Sequence, residues 1–210
     1  MTKPNYSEIF FLLDRSGSMN VIRDDVIGGV NEFIQRQKTV DGTVKLTLVQ
    51  FDSHDPYDVV YDAVDVKSIE KYDNFEPRGM TPLLDAMGTT IVKAGERLKN
   101  MPEHERPSKV VFVVFTDGYE NSSKEYTHNN IKKMVETQTN QYNWQFIFLG
   151  ADIDAFNEAE HLGIKTSAGL SARNFRDAMN MSGDKVSMYL NNDGDADCLN
   201  YSKEEIASLQ

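Results

Sequence analysis

The sequence predicts an α/β fold: a mostly parallel central sheet with one antiparallel edge strand and helices on both faces. Three observations carry that prediction. Strand-like and helix-like segments alternate along the chain. Two runs, Ile9-Phe-Phe-Leu-Leu13 and residues 110–115, are apolar at every position, as strands buried on both faces require. Residues 44–51 and 58–66 alternate and follow each other closely, which reads as a hairpin at one sheet edge.

Each element follows from its own pattern. Residues 9–13 form a first central strand. Val26, Ile27, Val30, Phe33 and Ile34 recur at helical spacing, predicting a helix over 21–37. Gly28 and Gly29 weaken that helix by roughly 1 kcal/mol each relative to Ala, with close packing on the sheet as a compensation. After the hairpin, Leu83, Leu84, Met87, Ile91, Ala94 and Leu98 line the buried side of a helix over 82–98. Residues 110–115 form a second central strand. Ser122 and Glu125 have capping-box spacing for a helix reaching about residue 139. A strand over 144–149, a short helix over 155–162 and a last helix over 171–190 follow, the last with Ser182-Gly183 as a candidate break. The doubly wound, Rossmann-like core ends near Gly169. The chain therefore divides into a domain of residues 1–169 and a C-terminal helical and acidic extension of residues 170–210.

Composition narrows the function. The 33 acidic residues outnumber the 22 basic ones, for a formal charge of −11, which argues against nucleic acid and against an anionic membrane as partners. No apolar run approaches the roughly 18 residues of a membrane helix. The first residues show no apolar leader segment, and Cys198 is the single cysteine, which excludes an internal disulfide and a cysteine-based zinc cluster. A cytoplasmic location is the expectation.

The chemistry concentrates at three places. Asp14-Arg-Ser16-Gly-Ser18 directly follows the first apolar run, so one carboxylate and two hydroxyls stand at alternate positions where a strand gives way to a helix. Hard oxygens in such a loop suit a divalent cation. Gly79-Met-Thr81-Pro and Phe115-Thr-Asp117-Gly118 supply further oxygens, the latter at the end of the second central strand. Ligands of doubly wound sheets bind beyond the carboxyl ends of the strands, near the switch in strand order. Taken singly, each piece has an ordinary structural reading. Ser18 or Asn20 caps a helix, Thr81-Pro82 is an N-cap followed by proline, and Asp117-Gly118 is a turn. Jointly, in this order and on these elements, they favour a metal site.

The three segments resemble the metal-ion-dependent adhesion site of von Willebrand factor type A domains, whose pattern is Asp-x-Ser-x-Ser, then Thr, then Asp. The resemblance covers roughly residues 8–169 and is strongest over 13–19, 78–86 and 115–118, where the chain is similar to stand-alone intracellular microbial or viral members. It implies that Asp14, Ser16, Ser18, Thr81 and Asp117 hold Mg²⁺ or Mn²⁺, with Ca²⁺ also admissible. A direct shell with one carboxylate leaves such an ion with about one positive charge in excess. It then attracts a Glu or Asp side chain of a partner protein, an AAA-type ATPase or another complex component among the candidates. That is a binding module and not an enzyme.

Two alternatives remain open. One is a metal-dependent hydrolase of phosphoester type. Against it, Ser16 stands where Asp-nucleophile phosphatases carry a second aspartate, and no Ser-His-Asp order or Gly-rich phosphate loop appears. The other is a scaffold with a structural ion. Arg15 and Arg78 either flank the ion or are solvated loop residues. Asp52-Ser-His54-Asp55 reads as a solvated hairpin bordering the same crest, and His104 and His128 have no companion nucleophile. Asp193, Asp195, Asp197 and Glu204 have calcium-loop spacing, but Cys198 stands where that loop needs glycine, so an acidic flexible tail is expected.

Overall fold

The structure is a computed structural model and describes residues 2–151, 153–192 and 195–210. Its strands are β1 (Lys3–Asp14), β2 (Thr43–Phe51), β3 (Asp58–Asp65), β4 (Pro107–Thr116), β5 (Gln145–Ala151) and β6 (Thr166–Leu170). Its α-helices are α1 (Arg23–Gln37), α2 (Leu83–Asn100), α3 (His128–Tyr142), α4 (Ala155–His161), α5 (Phe175–Asn191) and α6 (Lys203–Leu209). The strands form one sheet in the order β3-β2-β1-β4-β5-β6, in which only β3 runs antiparallel to its neighbour. The α/β expectation with one antiparallel edge strand is what the structure has.

The all-apolar runs are central because both faces of the sheet are covered. Successive side chains of a strand point to opposite faces. Ile9, Phe11 and Leu13 therefore pack with α1 and α5 through Val26, Val30, Phe33, Phe175 and Met179. Phe10 and Leu12 pack on the other face with α2, α3 and α4 through Leu83, Met87, Ile91, Ile131 and Ala159. On this second face Phe10 and Phe112 stack at 4.6 Å, and Phe112 and Trp144 at 5.3 Å. Such aromatic pairs each add roughly 0.5–1.5 kcal/mol beyond the area they bury.

Several local expectations need correction. The first helix begins as a 3₁₀ helix, Gly17–Ile22, before α1 proper. The Gly28-Gly29 pair is compensated by α5 rather than by the sheet. A Cβ on Gly29 would stand 2.8 Å from Phe175 and 2.9 Å from Met179. Ser182-Gly183 does not break α5, because the Ser182 hydroxyl donates to the Ala178 carbonyl and Gly183 fits closely against Arg36 and Phe33 of α1. The cap of α3 is Thr127 with Asn130, not Ser122 with Glu125. Two carboxylates organise that earlier segment as a loop: Glu120 accepts from the Ser122 and Ser123 amides, and Asp85 from those of Lys124, Glu125 and Tyr126.

Strand β6 had no sequence signal, since Thr-Ser-Ala-Gly-Leu is short and carries one large apolar side chain. The tail is also more ordered than its acidity suggests. Leu199 and Leu209 are buried in the core shared by β1, α1 and α5, and the Ser171 amide donates to the Leu209 carbonyl at 2.8 Å. Of the calcium-like residues, Asp193 lies outside the described residues, and Asp195 accepts from the Asp197 amide as a helix cap. Among the described residues no helix is long and apolar enough to cross a membrane.

The two adjacent glycines give opposite expectations. At Gly28 an added methyl meets the guanidinium of Arg176, which pairs with Glu32, at an ordinary contact distance of 3.4 Å, so Gly28→Ala stabilises by roughly 0.5–1 kcal/mol through helix propensity. At Gly29 the overlap with Phe175 and Met179 outweighs that gain, and Gly29→Ala destabilises by roughly 1–2 kcal/mol. Urea denaturation of both variants reads the difference.

Candidate metal centre

The strand order places the carboxyl ends of β1 and β4 side by side, with Leu13 opposite Phe115 and Asp14 opposite Phe51 on the other flank. In this order the chain leaves β1 toward β2 on one side and returns to β4 on the other, so the crest above β1 and β4 is the switch point. All five residues of the sequence motif come to this end of the sheet.

Asp14 is the innermost of them, 0 % exposed. Its Oδ1 accepts from the Ser16 amide at 2.7 Å and its Oδ2 from the Thr116 hydroxyl at 2.6 Å. The Ser16 and Ser18 hydroxyls lie 3.1 Å apart, and Ser18 donates to Asp117 Oδ1 at 2.7 Å. Thr81 reaches the group from the loop ahead of α2: a Cβ on Gly118 would stand 3.4 Å from its Oγ1. Hydrogen bonds therefore join Asp14, Ser16, Ser18 and Asp117 in one chain, and Thr81 faces the Asp117-Gly118 turn.

The helix-cap readings of these hydroxyls do not hold. The 3₁₀ helix and α1 begin without a side-chain cap at Ser16 and Ile22, and α2 begins at Pro82, also without one. The first amides of α2 are met from across the crest, Leu84 by the Glu120 carboxylate and Asp85 by the Ser123 hydroxyl. Thr81 itself is gripped by its backbone, since its amide donates to Asn121 Oδ1 and its carbonyl accepts from the Asn121 amide.

The loop carrying Thr81 is tied down on its other side as well. The Arg78 amide donates to the Arg15 carbonyl, the Gly17 amide to the Gly79 carbonyl, and the Ser53 amide to the Met80 carbonyl. Gly79 has φ +68°, and a Cβ there would stand 2.6 Å from the Ser53 hydroxyl oxygen, so the position calls for glycine twice over.

Arg15 follows neither reading that its sequence position suggested, whereas Arg78 is a half-exposed loop residue that also carries an ion pair. Arg15 is buried, and its guanidinium holds Asp52 Oδ2 at 2.8 Å, Gln50 Oε1 at 2.9 Å and Asp58 Oδ2 at 2.6 Å. Arg78 Nε donates to the same Asp52 oxygen at 3.1 Å. Asp52 is therefore a buried hub rather than part of a solvated hairpin. Its second oxygen accepts from the backbone amides of His54 and Asp55. Burial alone would raise its carboxyl, but these hydrogen bonds outweigh it and hold the group below the usual carboxylate value. Thr116, Asp52, Glu120 and Asn121 all position the crest; the sequence placed Asp52 at its border as a solvated residue and singled out none of the other three. Thr116 is the one of these that adjoins a motif residue, Asp117. His128 meets Glu158 at 3.1 Å between α3 and α4.

The electrostatics of Asp14 favour a cation. Burial pushes its carboxyl from 3.8 up to about 6; the hydrogen bonds from Thr116 and Ser16 pull it down, and the charge of Asp117 raises it further. The two direct partners of Asp14 are neutral donors. Among the described residues no three His, Cys, Asp or Glu side chains converge as a metal site. The crest combines two carboxylates with three hydroxyls, a hard all-oxygen set that fits Mg²⁺ or Mn²⁺ better than a soft thiophilic ion.

A model described as von Willebrand factor type A domain matches residues 8–182. Among curated proteins none matches the chain. The fold is similar to that of a von Willebrand factor type A protein from Catenulispora acidiphila, at 16% identity and TM-score 0.58 over 89% of this chain and 43% of that one. It is similar to manganese-loaded TRAP protein of Plasmodium vivax, at 15% identity and TM-score 0.56 over 86% of this chain and 74% of that one. It is also similar to proximal thread matrix protein 1 of the mussel byssus with a zinc-occupied MIDAS motif, at 14% identity and TM-score 0.56 over 86% and 46%. The chain spans less than half of the first of these structures. Identities this low carry the fold and nothing finer.

Two expectations follow from the geometry. The folded-state value of Asp14 lies above its unfolded value, so the native state binds more protons, and this group's contribution falls as pH rises from about 4 to about 6. In Asp14→Asn the amide donates to Thr116, whose hydroxyl still reaches the Gly118 carbonyl. In EDTA at pH 7 that variant is therefore more stable than wild type, by up to roughly 3 kcal/mol in chemical denaturation. Asp52→Ala leaves the buried Arg15 guanidinium with only Asp58 and Gln50 and costs roughly 1–3 kcal/mol in the same measurement.

Proposed function

The chain belongs to the von Willebrand factor type A domain family, and on that premise we propose that it is a metal-dependent protein-binding module. Asp14, Ser16, Ser18, Thr81 and Asp117 would hold a Mg²⁺ or Mn²⁺ ion. When bound, the ion supplies a Lewis-acidic position for a carboxylate oxygen, which a Glu or Asp of a partner protein would fill. The observation that carries this reading is the buried Asp14 carboxylate, raised by burial and by Asp117, at the end of a chain of serine hydroxyls.

The chain's own residues do the rest. Thr116 and the Ser16 amide fix the direction of the Asp14 oxygens. Ser18 holds Asp117 within reach of the first loop, and Asn121 and Ser53 fix the Thr81 loop from either side. No bond needs to break for such a site to work, so no nucleophile or general base is required. A cytoplasmic location belongs to the proposal, supported by a single, half-buried cysteine that needs no oxidising compartment. Complexes built around AAA-type ATPases are one setting in which such a module would serve.

Thermal melts in EDTA and in saturating Mg²⁺ or Mn²⁺ test the site. An ion at about 100 times its dissociation constant stabilises the native state by roughly 2.7 kcal/mol, which raises the melting temperature by roughly 5–10 °C for a chain of this size. The rise is expected in wild type and absent in Asp14→Ala; a wild-type melt indifferent to metal would sink the proposal. The hydrolase alternative predicts turnover of p-nitrophenyl phosphate under Mn²⁺ that is lost in Asp14→Ala. The binding module predicts none.

A further inference from the structure

Each loop that brings a motif oxygen to the crest also brings one exposed apolar side chain. Val21 is 90 % exposed in the 3₁₀ helix Gly17–Ile22. Side chains three residues apart eclipse in such a helix, so Val21 stands on the same face as Ser18. Met80, 53 % exposed, immediately precedes Thr81 and is pinned through its amide and carbonyl to Ser53. Tyr119, also 53 % exposed, follows Asp117 by two residues, and its hydroxyl accepts from the Asp154 amide at 3.0 Å, which fixes the ring between the loops after β4 and β5. Phe156, 46 % exposed, opens α4 beside it.

Single exposed apolar residues are ordinary on a protein surface, and Val59, Val92, Tyr142 and Met188 are exposed away from the crest; several on loops joined at one functional end make a docking signal. Here one accompanies each of the three loops, on backbone held by hydrogen bonds. The charge pattern says what they are for. The chain carries a formal charge of −11, so it repels an acidic partner at long range. Of the two arginines of the crest, Arg15 is buried against Asp52 and Asp58, and Arg78, half exposed, shares Asp52 with it. A carboxylate meeting this site gains attraction at the ion and from Arg78 alone, and the remaining affinity has to come from buried apolar area around it.

Resting on the metal-dependent binding reading above, we infer that the crest docks a protein segment in which a Glu or Asp is flanked by apolar side chains. The carboxylate meets the site, and its neighbours bury against Val21, Met80 and Tyr119. A segment acidic throughout is the wrong occupant, because its further charges would face apolar side chains and a negatively charged domain.

A displayed library of linear heptapeptides with a fixed central Glu and random flanks, panned on the full chain in Mg²⁺ and eluted with EDTA, tests this. The expected winners carry Leu, Ile, Val, Met or aromatic residues beside the Glu. Against the best synthetic winner, Val21→Ser and Met80→Ser each weaken the dissociation constant roughly fivefold to tenfold, while Val92→Ser, exposed on α2, leaves it unchanged. Wild-type melting in EDTA shows that the Ser variants fold. EDTA-eluted peptides with library-average flanks, or an affinity indifferent to both crest variants, overturn the apolar flank and leave metal-dependent binding standing. No Glu-dependent, EDTA-eluted peptide at all overturns both.

Discussion

The buried carboxylate of Asp14 at the end of β1 is the constraint on which the crest depends. Its strand is paired by β2 and by β4, which fixes the backbone from which the carboxylate projects. It is held by donors that leave its charge uncancelled, the Thr116 hydroxyl and the Ser16 amide. A negative group kept in that position stores an electrostatic cost, and a cation is the simplest group that removes it. The serine, threonine and aspartate oxygens around it make sense as the remainder of that arrangement.

Around the motif lies an outer ring of polar contacts. Asp52 gathers Arg15 and Arg78, which stand in the loops that carry Ser16 and Thr81. On the other side, Asp85 and Glu120 accept from the amides of the loop between β4 and α3 and from the start of α2. Three loops widely separated in sequence are thus fixed to one another by buried or half-buried carboxylates. Directional hydrogen bonds to charged acceptors are stronger than neutral ones and set loop geometry accordingly. The exposed apolar side chains of the crest ride on this same braced backbone.

The opposite face of the sheet from α2 shows a different solution to the same need for order. Helices α1 and α5 approach closely because Gly29 and Gly183 remove side chains at the contact, and Gln37 donates to the Gly183 carbonyl inside it. The tail then closes over α5, with Lys185 holding Glu205 and the Asn200 carbonyl, and the Tyr201 hydroxyl meeting Ser182. Acidic composition did not keep these residues loose, since Leu199 and Leu209 supply enough apolar anchorage.

Much of this was legible in the chain itself. All-apolar runs at 9–13 and 110–115 required strands covered on both faces, helical spacing fixed α1 and α2, and the order of Asp14, Ser16, Ser18, Thr81 and Asp117 marked three loops for one end of the sheet. These are local or periodic signals, and sequence carries them directly. What sequence left undecided depends on partners far along the chain. That Arg15 is buried, that Asp52 is a hub, that Thr116 orients Asp14 and that Gly29 answers to Phe175 are all consequences of contacts across 30 residues or more. Residue types and spacing determined which oxygens this protein can offer a cation. Only the packed sheet decided that they meet, because a side chain's environment is set by the neighbours that folding brings to it.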